Sequence, residues 1–234
     1  MAHFNGMNSL LSLFPVANAH IALIEHIIDE TWFFNPEIVR SQVKRTLALP
    51  KIPVRYSRQN VYSISNTGKT TVRNASLNGI VYYIDPNIPN IPGARVPIEI
   101  DYDGNKAVRD VIKTYTGHKV SSGKTSTILY HTIAHIWGNA THPYFFCMLW
   151  NVCLIPNHVS WITDKNTISG TPIPYDLQEL LKAISWRLYR PDKLLPISLV
   201  TPPSSSILTC PPYSYGSYRN WADSLIKAGK VHFI

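Results

Sequence analysis

The chain has 234 residues, 45% of them hydrophobic, which is enough to bury a core and argues against a disordered chain. Its formal charge is +8 and it carries 18 prolines, a balance that favours a polyanionic partner and short strands with loops over a helical bundle. Three cysteines, Cys147, Cys153 and Cys210, form neither a disulfide framework nor zinc-type pairs, so they read as buried thiols in a reducing, cytoplasmic compartment.

The N-terminal run LLSLFPVANAHIALI is apolar, but no Lys or Arg precedes it, and Pro15 and His20 interrupt it. Neither a signal peptide nor a membrane span is expected from it. The triplets beginning at Asn74 and Asn139 match a glycosylation pattern, which has no meaning for a cytoplasmic chain. Ile21, Ile24, Ile28 and Trp32 recur at helical spacing and predict a helix over 17–34. Asn35-Pro36 then restarts the chain, and PEIVRSQVKRTLAL predicts a second helix with Pro36 in its first turn.

From Arg40 to Arg73 the chain holds Arg40, Lys44, Arg45, Lys51, Arg55, Arg58, Lys69 and Arg73 without one Asp or Glu. Two explanations stand: a solvated face whose acids lie elsewhere in the fold, or a surface contacting DNA phosphates, each cation displacing condensed counterions. Tyr56, Gln59, Asn60 and Tyr62 interleave with these cations as candidate base-edge or stacking contacts. VYSISNTGKTTVRN alternates about Asn66-Thr67-Gly68 and predicts a hairpin. Short strands follow in NGIVYYID and RVPIEIDYDGN, then a helix in NKAVRDVIKTY. In TGHKVSSGKTST five residues separate Gly117 from Gly123 where a phosphate loop requires four, so a polar loop is expected, with Lys119 and Lys124 as further phosphate contacts. An amphipathic helix over 175–190, a Pro/Ser-rich loop and a last short helix, RNWADSLIKAG, complete the chain.

Residues 131 to 166 gather four of the nine histidines. Hydrolysis of a phosphodiester needs a base that works near neutral pH, which imidazole supplies, and a cation at the scissile phosphate held by oxygen or mixed oxygen and imidazole ligands. TSTILYHTIAHIW is rich in strand formers and ends in a loop at Gly138, WNVCLIP is a short apolar strand headed by Asn151, and NHVSWITDKN has helical character. His131 and His142 read as hydrogen-bonded loop partners rather than ligands. Trp137, Phe145, Phe146, Trp150 and Trp161 read as core.

This strand, loop, strand, helix order resembles the HNH, or ββα-metal, endonuclease family, over about 45 residues. The resemblance implies that His135 is the general base and that Asn151 holds the loop and the histidine in place. It further implies one Mg²⁺ (or Mn²⁺) ion bound by a residue of the following helix, with Asp164 first and His158 and Asn166 next. Many members carry an acid immediately before the first His, where this chain has Ala134, and the family's cysteine pairs are missing. His131 or a distant acid stands as the alternative second ligand.

The expected fold class is α+β, mixed helices and short antiparallel strands around a ββα-metal core. Residues 1–115 would form a DNA-binding region, 116–170 the nuclease core and 171–234 a helical region packed on the same domain. The function so implied is a metal-dependent endonuclease acting on double-stranded DNA, a type II restriction-type homodimer. The alternatives are a nonspecific toxin-type nuclease and a non-catalytic DNA-binding protein. A nuclease of the PD-(D/E)xK type is disfavoured, because Lys106 does not follow an acid by two residues in EIDYDGNK.

Overall fold

A computed structural model describes residues 6–14, 18–55, 61–65, 68–70, 80–84, 95–102, 104–120, 126–163, 173–195, 202–203 and 215–234. Of the residues singled out above, Pro15, Tyr56, Arg58, Gln59, Asn60, Asn66, Thr67, Arg73, Asn74, Gly123, Lys124, Asp164, Asn166 and Cys210 lie outside them.

The described residues form an α+β arrangement with two mixed sheets. Helices α1 (Gly6–Leu11) and α2 (Ala19–Asp29) lead into β1 (Trp32–Phe33). Trp32 therefore lies beyond the first long helix, which ends at Asp29 rather than at residue 34. Helix α3 (Pro36–Leu47) starts where Pro36 predicts: the Asn35 side chain accepts from Glu37 N–H at 2.9 Å, satisfying a donor the first turn leaves open. Strands β2 (Ile52–Arg55), β3 (Val61–Ser65), β4 (Gly68–Thr70), β5 (Ile80–Ile84) and β6 (Arg95–Asp101) make one sheet in the order β2-β6-β5-β3-β4. The expected hairpin is present as the antiparallel β3–β4 pair, and Lys69 lies on its second strand. Helix α4 (Lys106–Thr116) follows and stops at Gly117, whose φ of 76° places it in the left-handed region that glycine adopts at least cost.

The second sheet runs β7 (His131–His135), β8 (Val152–Pro156), β1 and β9 (His232–Phe233), in the order β7-β8-β1-β9. Not every pairing is antiparallel: β2 pairs with β6 in parallel, and β1 with β9. Strand β8 is buried along its whole length, which is why its sequence is apolar without alternation. Cys153 and Ile155 face a core built with α2, α5 (Ile173–Tyr189) and α7 (Tyr218–Lys227). Val152 and Leu154 face another, with α3, α4 and residues 145–150. The C-terminal helices thus close over the same sheet that carries His135 and that Asn151 leads into. A single turn, α6 (Pro191–Leu194), follows α5. Among the described residues no helix is long and apolar enough to cross a membrane.

Candidate active site

Strands β7 and β8 are antiparallel, and His135 pairs in register with Val152. Asn151 ends a 3-10 turn, Leu149–Asn151, one residue before β8. Its backbone oxygen accepts from Ile136 N–H at 2.8 Å, so the two ends of the intervening loop are fastened together. The Asn151 side chain is fully buried and knits that loop from within. Its Oδ1 accepts from Trp137 N–H at 2.7 Å, while Nδ2 donates to the carbonyls of Gly138 (3.1 Å) and Phe145 (3.0 Å). No apolar side chain could replace these bonds, because three backbone groups would lose their partners at once. The loop turns sharply at Gly138 and Asn139, both at positive φ.

His135 is half-buried, and its ring stacks on Phe146 at 5.7 Å between centroids and 12° between planes. Nε2 lies 3.0 Å from the Phe146 carbonyl oxygen. A carbonyl only accepts, so Nε2 carries the proton and the lone pair of the neutral ring sits on Nδ1. Burial brings the imidazole pKa down to about 4; the Phe146 carbonyl works against that shift, and the Arg55 charge adds to it. The ring is therefore neutral at pH 7.

Arg55 reaches this place from the other sheet. Its N–H donates to Ala140 O at 3.0 Å, its guanidinium lies 6.0 Å from the centre of the Phe146 ring, and its Nη2 and Nε donate to Asn105 Oδ1 (2.6 Å) and Gly104 O (3.3 Å). One member of the basic run is thus brought against the histidine. Arg40, Lys44, Lys51 and Lys119 are exposed. Arg45, also exposed, lines a cavity of about 620 Å³ together with Lys106 and with Glu99, Asp101 and Asp110, acids distant from it in sequence. The acid-free interval in the sequence therefore does not remain acid-free in space.

His158 is not brought to His135. Pro156 pairs with His131, at the far end of the hairpin, and His158 lies beyond it; the four steps from His131 to His135 span about 13 Å of strand. The segment after β8 is helical only as a 3-10 turn, Ser160–Ile162, within the described residues. Among them no three or more His, Cys, Asp or Glu side chains are gathered so as to hold a metal ion.

His131 and His142 contact backbone groups. The His131 ring lies between two carbonyls, Nδ1 at 2.9 Å from Leu129 O and Nε2 at 3.1 Å from Glu30 O, and the neutral ring donates to one of them. His142 is buried against Tyr83 and Phe145, and its Nδ1 accepts from Tyr144 N–H at 3.1 Å. Sequence reasoning missed Gln42, a fully buried amide on α3 that donates to Cys147 O and accepts from Leu149 N–H, both at 3.1 Å. The signal was present: Gln42 is a polar residue on the face that Val39, Val43 and Thr46 bury. It also missed Gln178, which donates to Ile136 O just past β7.

Residues 48–200 match a family model described as "Uncharacterised protein PM1201", and the chain belongs to that family. The matched span includes Arg55, His135 and Asn151. No curated protein and no solved structure matches the chain.

Proposed function

We propose that this chain is an endonuclease of the ββα-metal (HNH) kind, acting on double-stranded DNA as a restriction-type enzyme. The observation that carries the reading is the juxtaposition at Phe146. His135, with its Nε2–H committed to the Phe146 carbonyl and its lone pair on Nδ1, shares that ring with the Arg55 guanidinium. The oriented lone pair is what a general base requires, and the adjacent cation is what a phosphodiester requires.

In this reading Nδ1 takes a proton from the water that attacks phosphorus, and the Phe146 carbonyl stabilises the imidazolium that forms. Arg55 faces the anionic phosphate, whose charge offsets its own and raises the basicity of the imidazole. Asn151 acts by keeping Phe145, and with it the neighbouring Phe146 carbonyl, in place. A divalent ion, Mg²⁺ or Mn²⁺, would neutralise charge on the phosphate. The described residues around His135 do not by themselves fit such an ion, and that role falls to Asp164 and Asn166, outside them. Cutting both strands calls for two copies, so a homodimer belongs to the proposal.

The test is incubation of the purified chain with plasmid and phage DNA and Mg²⁺ or Mn²⁺. Discrete fragments lost in His135→Ala support the restriction-type reading, and a His135-dependent smear supports the toxin-type one. A second reading, a DNA-binding protein without catalysis, is favoured by the lowered basicity and the ring stacking of His135, both usual for a structural histidine. Duplex binding with intact DNA at every metal concentration would establish that alternative.

A further inference from the structure

A second cleft opens along β7, an edge strand of its sheet. It encloses about 720 Å³, and its lining includes Asn105, Arg109, Leu129, Tyr130, His131 and Asn157. That volume lies within the roughly 300–1,000 Å³ of small-ligand clefts, room for a nucleotide or two but not for a duplex. No Asp or Glu is among its described lining residues.

Tyr130 is the unusual member. It is 82% exposed and holds a φ of 59°, a left-handed conformation that costs an aromatic residue energy. The turn is clamped on both sides. Tyr130 O accepts from Asn157 N–H at 2.8 Å, and the His131 ring sits between Leu129 O and Glu30 O. The backbone is thus fixed while the phenol ring stands in solvent, beside Leu129, itself 54% exposed. Asn105 lines this cleft and also accepts from Arg55, the cation beside Phe146.

We propose that this cleft receives a single-stranded stretch of DNA, with one base stacked on Tyr130 and the adjoining phosphate against Arg109. A presented aromatic face, a cation and a lining without carboxylates are the parts of a single-strand site, because every base has a π-face and every nucleotide a charge. The inference rests on the DNA-cutting reading of the His135 site and adds to it a distortion of the duplex, one strand drawn away beside the point of cleavage.

Fluorescence anisotropy of a short fluorescein-labelled oligothymidylate with the full chain tests it. Tyr130→Ala is expected to weaken binding about fivefold or more, the loss typical of a stacked base, with Tyr130→Phe close to wild type. Arg109→Gln is expected to reduce the slope of log affinity against log salt by about 0.7. Should Tyr130→Ala fail to fold by circular dichroism, Tyr130→Asn removes the ring while tolerating the positive φ. An oligonucleotide that wild type does not bind, or that Tyr130→Ala binds as wild type does, overturns the inference. His135→Ala separates the two proposals. His135-dependent plasmid cutting with unaltered oligonucleotide binding in Tyr130→Ala removes only the cleft, whereas Tyr130-dependent binding with plasmid left intact removes only the nuclease.

Discussion

The side chains of His135 and Asn151 are fastened to consecutive carbonyls of one loop: Nε2 of His135 donates to Phe146 O and Nδ2 of Asn151 to Phe145 O. The two residues are coupled through that backbone, so a change at Asn151 reaches the imidazole by moving the loop. Asn151→Asp keeps the shape and the acceptor for Trp137 N–H but takes away both donations. The buried Phe145 carbonyl, left unpaired, costs about 1–3 kcal/mol. Denaturant unfolding of this variant is expected to show a loss in that range or above it. A loss under about 0.5 kcal/mol, the size of an ordinary surface change, would contradict the bonding described.

His135 also links stability to pH. In the folded chain it stays neutral down to about 4, whereas the unfolded chain protonates near 6.5. Between those values the unfolded state binds more protons, so this group's contribution is complete above pH 6.5 and is lost as pH falls toward 4. The drop in Tm between pH 7 and pH 4.5 is expected to be smaller in His135→Asn than in wild type. Equal drops would place the imidazole in water.

Arg55 lowers the basicity of His135 through its charge, and it sits where a phosphate would dock under the proposed function. Arg55→Gln is therefore expected to move the His135 titration upward, read by NMR of the imidazole. The same substitution should reduce the salt slope of duplex binding by about one counterion. A titration that stays put, or moves down, would remove Arg55 from the histidine's surroundings.

Cys147 and Cys153 are fully buried, and burial pushes both thiols up to about 12. Thiolate is the reactive form, so neither should alkylate in the folded protein at pH 8, and both should react once the chain is unfolded. Mass spectrometry after iodoacetamide treatment checks this. Rapid native labelling of either cysteine would show that the strand and loop around them open readily.

Where local chemistry sets structure, the sequence was readable. Asn35-Pro36 announces the start of α3, and the 3.6-residue rhythm of 175–190 announces α5. Gly68 and its neighbours announce the β3–β4 hairpin. Strands β1 and β9 carry no such announcement, since two residues cannot show a period, and Trp32 prolonged the helical spacing before it by coincidence. The same division holds at the candidate site. That His135 and Asn151 flank one loop could be read from their order, and the structure fastens the ends of that loop together. The Phe146 carbonyl could not be read, because a backbone acceptor has no residue-type signature. Arg55 was visible only as one cation among eight, and its place beside Phe146 depends on how two sheets meet. The exposure of Tyr130 was hidden too, as it follows from a backbone angle that the residue type disfavours.

Strand β1 lies between partners that arrive much later, Leu154 on one side and His232 on the other. Loops this long close slowly, so the central sheet is a late event on the folding path. On the ribosome Phe33 must wait until residue 233 is synthesised before its second neighbour exists. Until then the strand presents an open hydrogen-bonding edge, and that interval is when nascent molecules are most exposed to pairing with one another.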